Sequence, residues 1–187
     1  MKVWSVVIGV LFLSGCAVFG SDGSAQKPVL GGPQNLSRAA GADIEGAVLK
    51  PEAVKTAETV LIVPFAAGPG VAADSANERL ALKVAQGMGR VVQQNTDMDI
   101  LGEKDAGRAD LIITGRIIRK AAPGRWKRYF GIPYSRHFAV EGRALLSRSD
   151  GPAAVFAYAV KEPYNGRGWE QLAADAGTVS ARFLFGL

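Results

Sequence analysis

The run Thr59-Val60-Leu61-Ile62-Val63-Pro64-Phe65 constrains the fold more than any other stretch of this chain. It is continuous, β-branched and apolar. A strand with one wet face alternates, whereas an unbroken run is what a strand covered on both faces requires. Extended to Ala67 the run is still only strand length, far short of the roughly 20 apolar residues that cross a bilayer as a helix. Asp110-Leu111-Ile112-Ile113-Thr114-Gly115-Arg116-Ile117-Ile118-Arg119 reads as a second strong strand.

The segments around these runs define the rest of the domain. Ser75-Ala76-Asn77-Glu78 has the Ser-x-x-Glu capping-box pattern and predicts a helix start. Leu80, Val84, Met88 and Val91 then form one apolar stripe to about Gln94. Asp99-Ile100-Leu101 predicts a short strand, and 102–109 a polar connection with a helical turn. From His137 to Ser147 the chain alternates, with Phe138, Val140, Gly142, Ala144 and Leu146 on one side. Asp150-Gly151 is a hairpin signal, and 153–161 is the partner strand. A last helix from about Gly168 presents Trp169, Leu172, Ala176, Val179 and Phe183. Two amphipathic helices with a mixed sheet of about five strands imply an α/β (α+β) fold, a two-layer sandwich with both helices on one face.

The amino terminus carries a different message. Met1-Lys2 opens an apolar core over 3–13, which closes on Leu13-Ser14-Gly15-Cys16. A basic start, a short apolar core and small residues before a cut site describe a secretory signal. The whole segment resembles the signal peptide and lipobox of bacterial lipoproteins. That resemblance implies cleavage after Gly15 and covalent lipid on Cys16. Several acyl chains, at roughly 0.8 kcal/mol per buried CH₂, hold a small domain firmly on a membrane. Ala17 stands where an inner-membrane retention signal would place Asp, so the expected location is the outer membrane, with the domain facing the periplasm. Cys16 is the chain's single cysteine, so its acylation leaves no thiol for a disulfide or a thiolate metal site.

Three regions are therefore expected: a signal peptide at 1–15, a lipidated Cys16 with a tether to 57, and an α/β domain over 58–187. The tether is rich in Gly, Ala, Ser and Pro, with Ile44, Val48, Leu49 and Val54 expected to touch the domain as an irregular wrap. The order of elements over 58–187, with Val60-Leu61-Ile62-Val63-Pro64-Phe65 and Ala109-Asp110-Leu111-Ile112-Ile113-Thr114-Gly115-Arg116 as its landmarks, resembles the amino-terminal domain of the Tol translocation protein B and the curli-export and Pel-polysaccharide-export lipoproteins. No catalytic residue comes with that resemblance. Long pore-forming hairpin segments and propeller repeats are both missing from the sequence.

The net charge of +5 falls by one unit when Lys2 leaves with the signal. An exported protein meets lipid headgroups and acidic glycans rather than nucleic acid, so an envelope protein or an anionic polymer is the expected partner, with a homo-oligomer as a further possibility. Between Arg116 and Arg148 lie nine basic residues and one acidic residue, Glu141. The connection Arg125-Trp126-Lys127-Arg128-Tyr129-Phe130-Gly131-Ile132-Pro133-Tyr134-Ser135-Arg136 sets cations among aromatics, a mixture suited to a headgroup, carbohydrate or protein contact. Arg125, Trp126, Lys127, Arg128, Tyr129, Phe130, Tyr134 and Arg136 are the candidate binding residues. Gly68-Pro69-Gly70-Val71-Ala72-Ala73 matches a dinucleotide fingerprint formally, but the helix starts after it and no second mononucleotide half follows.

No catalytic residue, metal site or cofactor beyond the covalent lipid is expected. His137 is the single histidine, and Ser135 shares its strand face, so an envelope hydrolase would have to use that pair. The leading expectation is a non-enzymatic accessory or assembly component of an envelope export or maintenance machine. The alternative is a ring-forming subunit of a secretion channel, with Gly87 and Gly89 allowing close packing between copies.

Overall fold

A computed structural model describes residues 37–39, 42–122, 124, 135–149, 151–163 and 166–187. The elements are β1 (Ser37–Ala39), β2 (Ala42–Val48), α1 (Pro51–Lys55), β3 (Thr59–Ile62), β4 (Ala66–Ala67), α2 (Ser75–Asn95), β5 (Asp99–Leu101), a 3-10 helix (Glu103–Arg108), β6 (Leu111–Ala121), β7 (Ser135–Leu146), β8 (Pro152–Pro163) and α3 (Trp169–Phe185). The strands form one sheet in the order β1-β2-β8-β7-β6-β3-β5, with β4 paired to β6. β3 runs parallel to β5 and β6, while β6, β7, β8 and β2 are successively antiparallel. Helices α2 and α3 pack on each other and on one face, which makes the expected two-layer sandwich.

The sheet is wider than the five strands expected. The added breadth comes from β4 and from the stretch read as tether, where β2 pairs with β8 over seven residues, Ala42↔Val160 to Val48↔Ala154. Ile44 and Val54 are buried as expected, but Ile44 sits in a regular strand rather than an irregular wrap. Glycine and alanine gave this stretch the composition of a linker. Its alternation of Ile44, Gly46 and Val48 acquires meaning only beside β8.

Small residues let the layers close. Gly115, Gly142, Phe156 and Gly46 form one cross-strand row on the helix-facing side. A Cβ at Gly115 would come within 2.6 Å of the Phe65 ring, and one at Gly46 within 2.7 Å of Phe183. The missing side chains make room for Phe65, Phe156 and Phe183; the Phe65 and Phe156 centroids lie 6.2 Å apart. Where α2 and α3 cross, a Cβ at Gly87 would strike the Ala174 carbonyl, and one at Gly177 the Val84 carbonyl. Gly87 therefore serves packing within the chain, and Gly89 faces Ile62 and Ile100. Neither supports the contact between copies expected of them.

Two local details differ from the sequence pattern. Asp74, not Ser75, caps α2: its Oδ1 accepts the Asn77 N–H at 2.8 Å. Helix α3 is also buried over a wider arc than its expected stripe, because Ala173, Gly177, Ser180, Ala181 and Leu184 are covered as well. It packs on both the sheet and α2.

Candidate functional site: a cation and tryptophan cluster at the foot of the 122–134 connection

Residues 125–134 lie outside the described residues, and so do Arg125, Trp126, Lys127, Arg128, Tyr129, Phe130 and Tyr134. Leu13, Ser14, Gly15 and Cys16 fall outside them as well. Of the candidate residues Arg136 is described. It stands at the carboxyl-terminal foot of the connection, on the helix-facing side of β7.

The register of β6 and β7 shifts between Ile117 and Arg119. One extra residue in a strand reverses the alternation beyond it. Ile117 and Lys120 consequently share the helix-facing side, whereas Arg119 faces away, paired with Ala139. Lys120 Nζ lies 5.9 Å from the Trp169 ring centroid, and the Arg136 guanidinium carbon lies 5.6 Å from it. Phe138 packs against the same indole, with centroids 6.5 Å apart. Cations near an indole face are attracted by its quadrupole.

Hydrogen bonds hold the cluster in place. Lys120 Nζ donates to Asn77 Oδ1 at 2.7 Å, and Asn77 Nδ2 donates to the Ala72 carbonyl at 2.7 Å. Arg136 Nη1 donates to the Arg167 carbonyl at 2.7 Å. Arg167 in turn bridges Glu162 Oε2 at 2.7 Å and Asp175 Oδ2 at 2.5 Å. The hydrogen bond from Arg167 holds the Glu162 carboxyl below its ordinary range, while Glu162 foremost raises Arg167. Burial pushes the Tyr158 phenol up to about 12. This arrangement stiffens the base of the connection and gives it a positive edge. Among the described residues no group of three or more His, Cys, Asp or Glu could hold a metal ion.

Sequence reasoning found Arg136 and Lys120 as members of a basic stretch and Trp169 as part of an apolar stripe. It missed their convergence, along with the roles of Asn77 and Arg167. The paired register of β6 and β7 and the docking of α3 bring them together, and neither has a local signal.

Ser135 and His137 share the open side of β7, as alternation requires. His137 is opposite Ala121 on β6 and Lys161 on β8, and neither is a carboxylate that would orient an imidazole as a base. Burial first, then the charges of Arg119 and Lys161, hold the imidazole below its ordinary range. Asp110 has a structural role: Oδ2 accepts from Thr59 Oγ1 at 2.9 Å and from the Thr59 and Glu58 N–H groups at 3.2 Å, joining the starts of β3 and β6. At that same end of the sheet, a groove of about 480 Å³ opens between β2, α1 and α3, lined by Ile44, Val48, Val179 and Phe183 with Lys55 and Arg182 beside them.

No protein-family model matches the chain, and no curated protein matches it. Solved structures do. One structure of the PelC dodecamer from Paraburkholderia phytofirmans superposes with a TM-score of 0.51 at 10% identity, covering 75% of this chain and 95% of that one. A second structure of that dodecamer gives 0.49 at 11% identity, with 75% and 96% covered. Lipoprotein GNA1162 from Neisseria meningitidis gives 0.44 at 9% identity, with 67% and 96% covered. The chain shares its fold with PelC. At this identity the likeness concerns fold alone. Among the described residues no helix is long and apolar enough to cross a membrane.

Proposed function

We propose that the protein is an outer-membrane lipoprotein, anchored through Cys16, whose periplasm-facing domain is a non-enzymatic accessory or assembly component of an envelope export or maintenance machine. What supports this reading is a PelC-like fold that follows the run Leu13-Ser14-Gly15-Cys16, which resembles a lipobox. Residues 17–36 give the domain reach, and the 125–136 segment, rooted beside Trp169, contacts an envelope protein or an anionic polymer. Mass spectrometry of the mature amino terminus tests the anchor: an acylated Cys16 is expected, with release from the membrane in Cys16→Ser. An unmodified Cys16 overturns it. Replacing Trp126 and Arg128 together should abolish partner capture with an unchanged fold, and unchanged capture would remove the 125–136 segment from the contact.

A second reading, a ring-forming subunit of a polysaccharide or protein secretion channel, is favoured by the dodecameric state of PelC. Light scattering on a form beginning near Ser24, which keeps every described residue, separates the two. A closed oligomer supports the ring, and a monomer excludes it.

A further inference from the structure

The side of the sheet turned away from α2 and α3 carries its own charge pattern. At the end nearest the 122–134 connection, the register sets His137 directly opposite Lys161, with Arg119 diagonal to His137 on β6. Direct neighbours across a sheet are about 5 Å apart and diagonal ones about 7–8 Å. Three basic groups from three adjacent strands therefore share one small patch. The β6 bulge completes it, because it turns Arg119 toward this face and Lys120 to the other.

Neighbouring acids are engaged elsewhere or lie to one side. Glu162 points to the helix side and is held by Arg167. Glu141, diagonal to Arg119 on the side away from His137, pairs with Arg116. Asp43 on β2 lies opposite Ala159, which makes it diagonal to Lys161, while β7 and β8 separate it from Arg119. Among the described residues neither Arg119 nor Lys161 makes an ion pair. The titration of His137 is lowered by burial first and then by these two cations, which places both charges near the ring.

The surface between the cations is low. Arg119, Ala139, Ala159 and Asp43 follow one another across β6, β7, β8 and β2, so two alanines floor a shallow trough between Arg119 and Asp43, beside His137 and Lys161. Among the described residues the large exposed apolar side chains are Leu49, Leu82 and Leu187, and none of them belongs to this trough. Small side chains at the floor with Arg119 and Lys161 at the rim suit the carboxylates of an extended acidic polymer.

We propose that the open face of the sheet binds a carboxylated polysaccharide, its acidic groups seated across Arg119, His137 and Lys161. This rests on the anionic-polymer arm of the proposed function and adds Arg119, His137 and Lys161 to the residues that would make the contact. The test measures binding of the full chain, in non-ionic detergent, to polygalacturonate, with neutral dextran and phosphatidylglycerol vesicles alongside. Polygalacturonate should bind in a salt-sensitive way, because ions screen exposed charges within about 8 Å at physiological strength. Arg119→Glu with Lys161→Glu should weaken it at least tenfold with unchanged circular dichroism, while Arg119→Lys should retain it. Binding should move the His137 ring titration, read by NMR, to higher pH. Undiminished binding in the double variant overturns the proposal, as does failure of the polymer to bind. Vesicle binding that depends on Arg119 and Lys161 without polymer binding also overturns it and makes the face a membrane contact. Loss of polymer binding in the Trp126 and Arg128 replacement but not in the Arg119 and Lys161 replacement places the polymer on the 125–136 segment and overturns this proposal; the reverse pattern supports it, so the two assignments fail separately.

Discussion

The two faces of the sheet are made by alternate residues of the same strands, yet they follow different rules. On the helix-facing side β6, β7 and β8 present Ile113, Ile117, Phe138, Val140, Phe156 and Tyr158, all nearly inaccessible to solvent. On the other side the same strands present Thr114, Arg116, Glu141, Arg143 and Ala157, which keep contact with water. The first face is fitted by shape, down to the glycines that admit three phenyl rings. The second is fitted by charge, and charge tolerates change. Stability should therefore reside mainly on the helix-facing side of the sheet.

The largest effect should come from the fitted side. Phe156→Ala removes a ring from beside Gly142 and Phe65 and should cost about 3–5 kcal/mol in urea unfolding. A cost below about 1 kcal/mol would mean the glycine row is not tightly packed. An intermediate effect is expected in acid. The Asp110 and Glu162 carboxyls both titrate lower in the folded chain than their ordinary values of 3.8 and 4.5. As pH falls through those values the unfolded chain takes up protons first, so the stabilisation present at neutral pH is lost through the lower folded values. Asp110→Asn should flatten that decline in melts followed between about pH 3 and pH 6, and an unaltered slope would contradict the depressed titration of Asp110. The smallest effect belongs to the open face. The Arg116 and Glu141 side chains are 44% and 20% exposed. Arg116→Ala should cost under about 1 kcal/mol, which screening by salt reduces further; a larger loss in the same assay would erase the contrast between the faces.

Much of the layering was legible in the residues. The apolar runs at Thr59–Ile62 and Leu111–Ala121 became central strands, and the Leu80, Val84, Met88 and Val91 stripe became the buried side of α2. These signals are local, since burial on one or both faces is written in consecutive side chains. The strand β2 escaped because its glycine and alanine content is that of a linker until β8 lies beside it. The α2 cap moved by one residue because Asp74 precedes Ser75 with an equally capable oxygen, and a pattern alone does not choose between them.

The cationic cluster was legible only as composition. Nine basic residues between 116 and 148 announced a positive region without saying where each charge would point. Strict alternation assigns Ile117 and Arg119 to one face. The irregularity between them sends Arg119 to the open side and Lys120 to Trp169. Thus the sequence by itself determined the layers and the order of strong strands and helices, because each is encoded in near neighbours. The distribution of charge between the two faces was decided by tertiary structure, because one extra residue in a strand reverses every side chain after it, and only pairing with a partner strand shows where that residue lies.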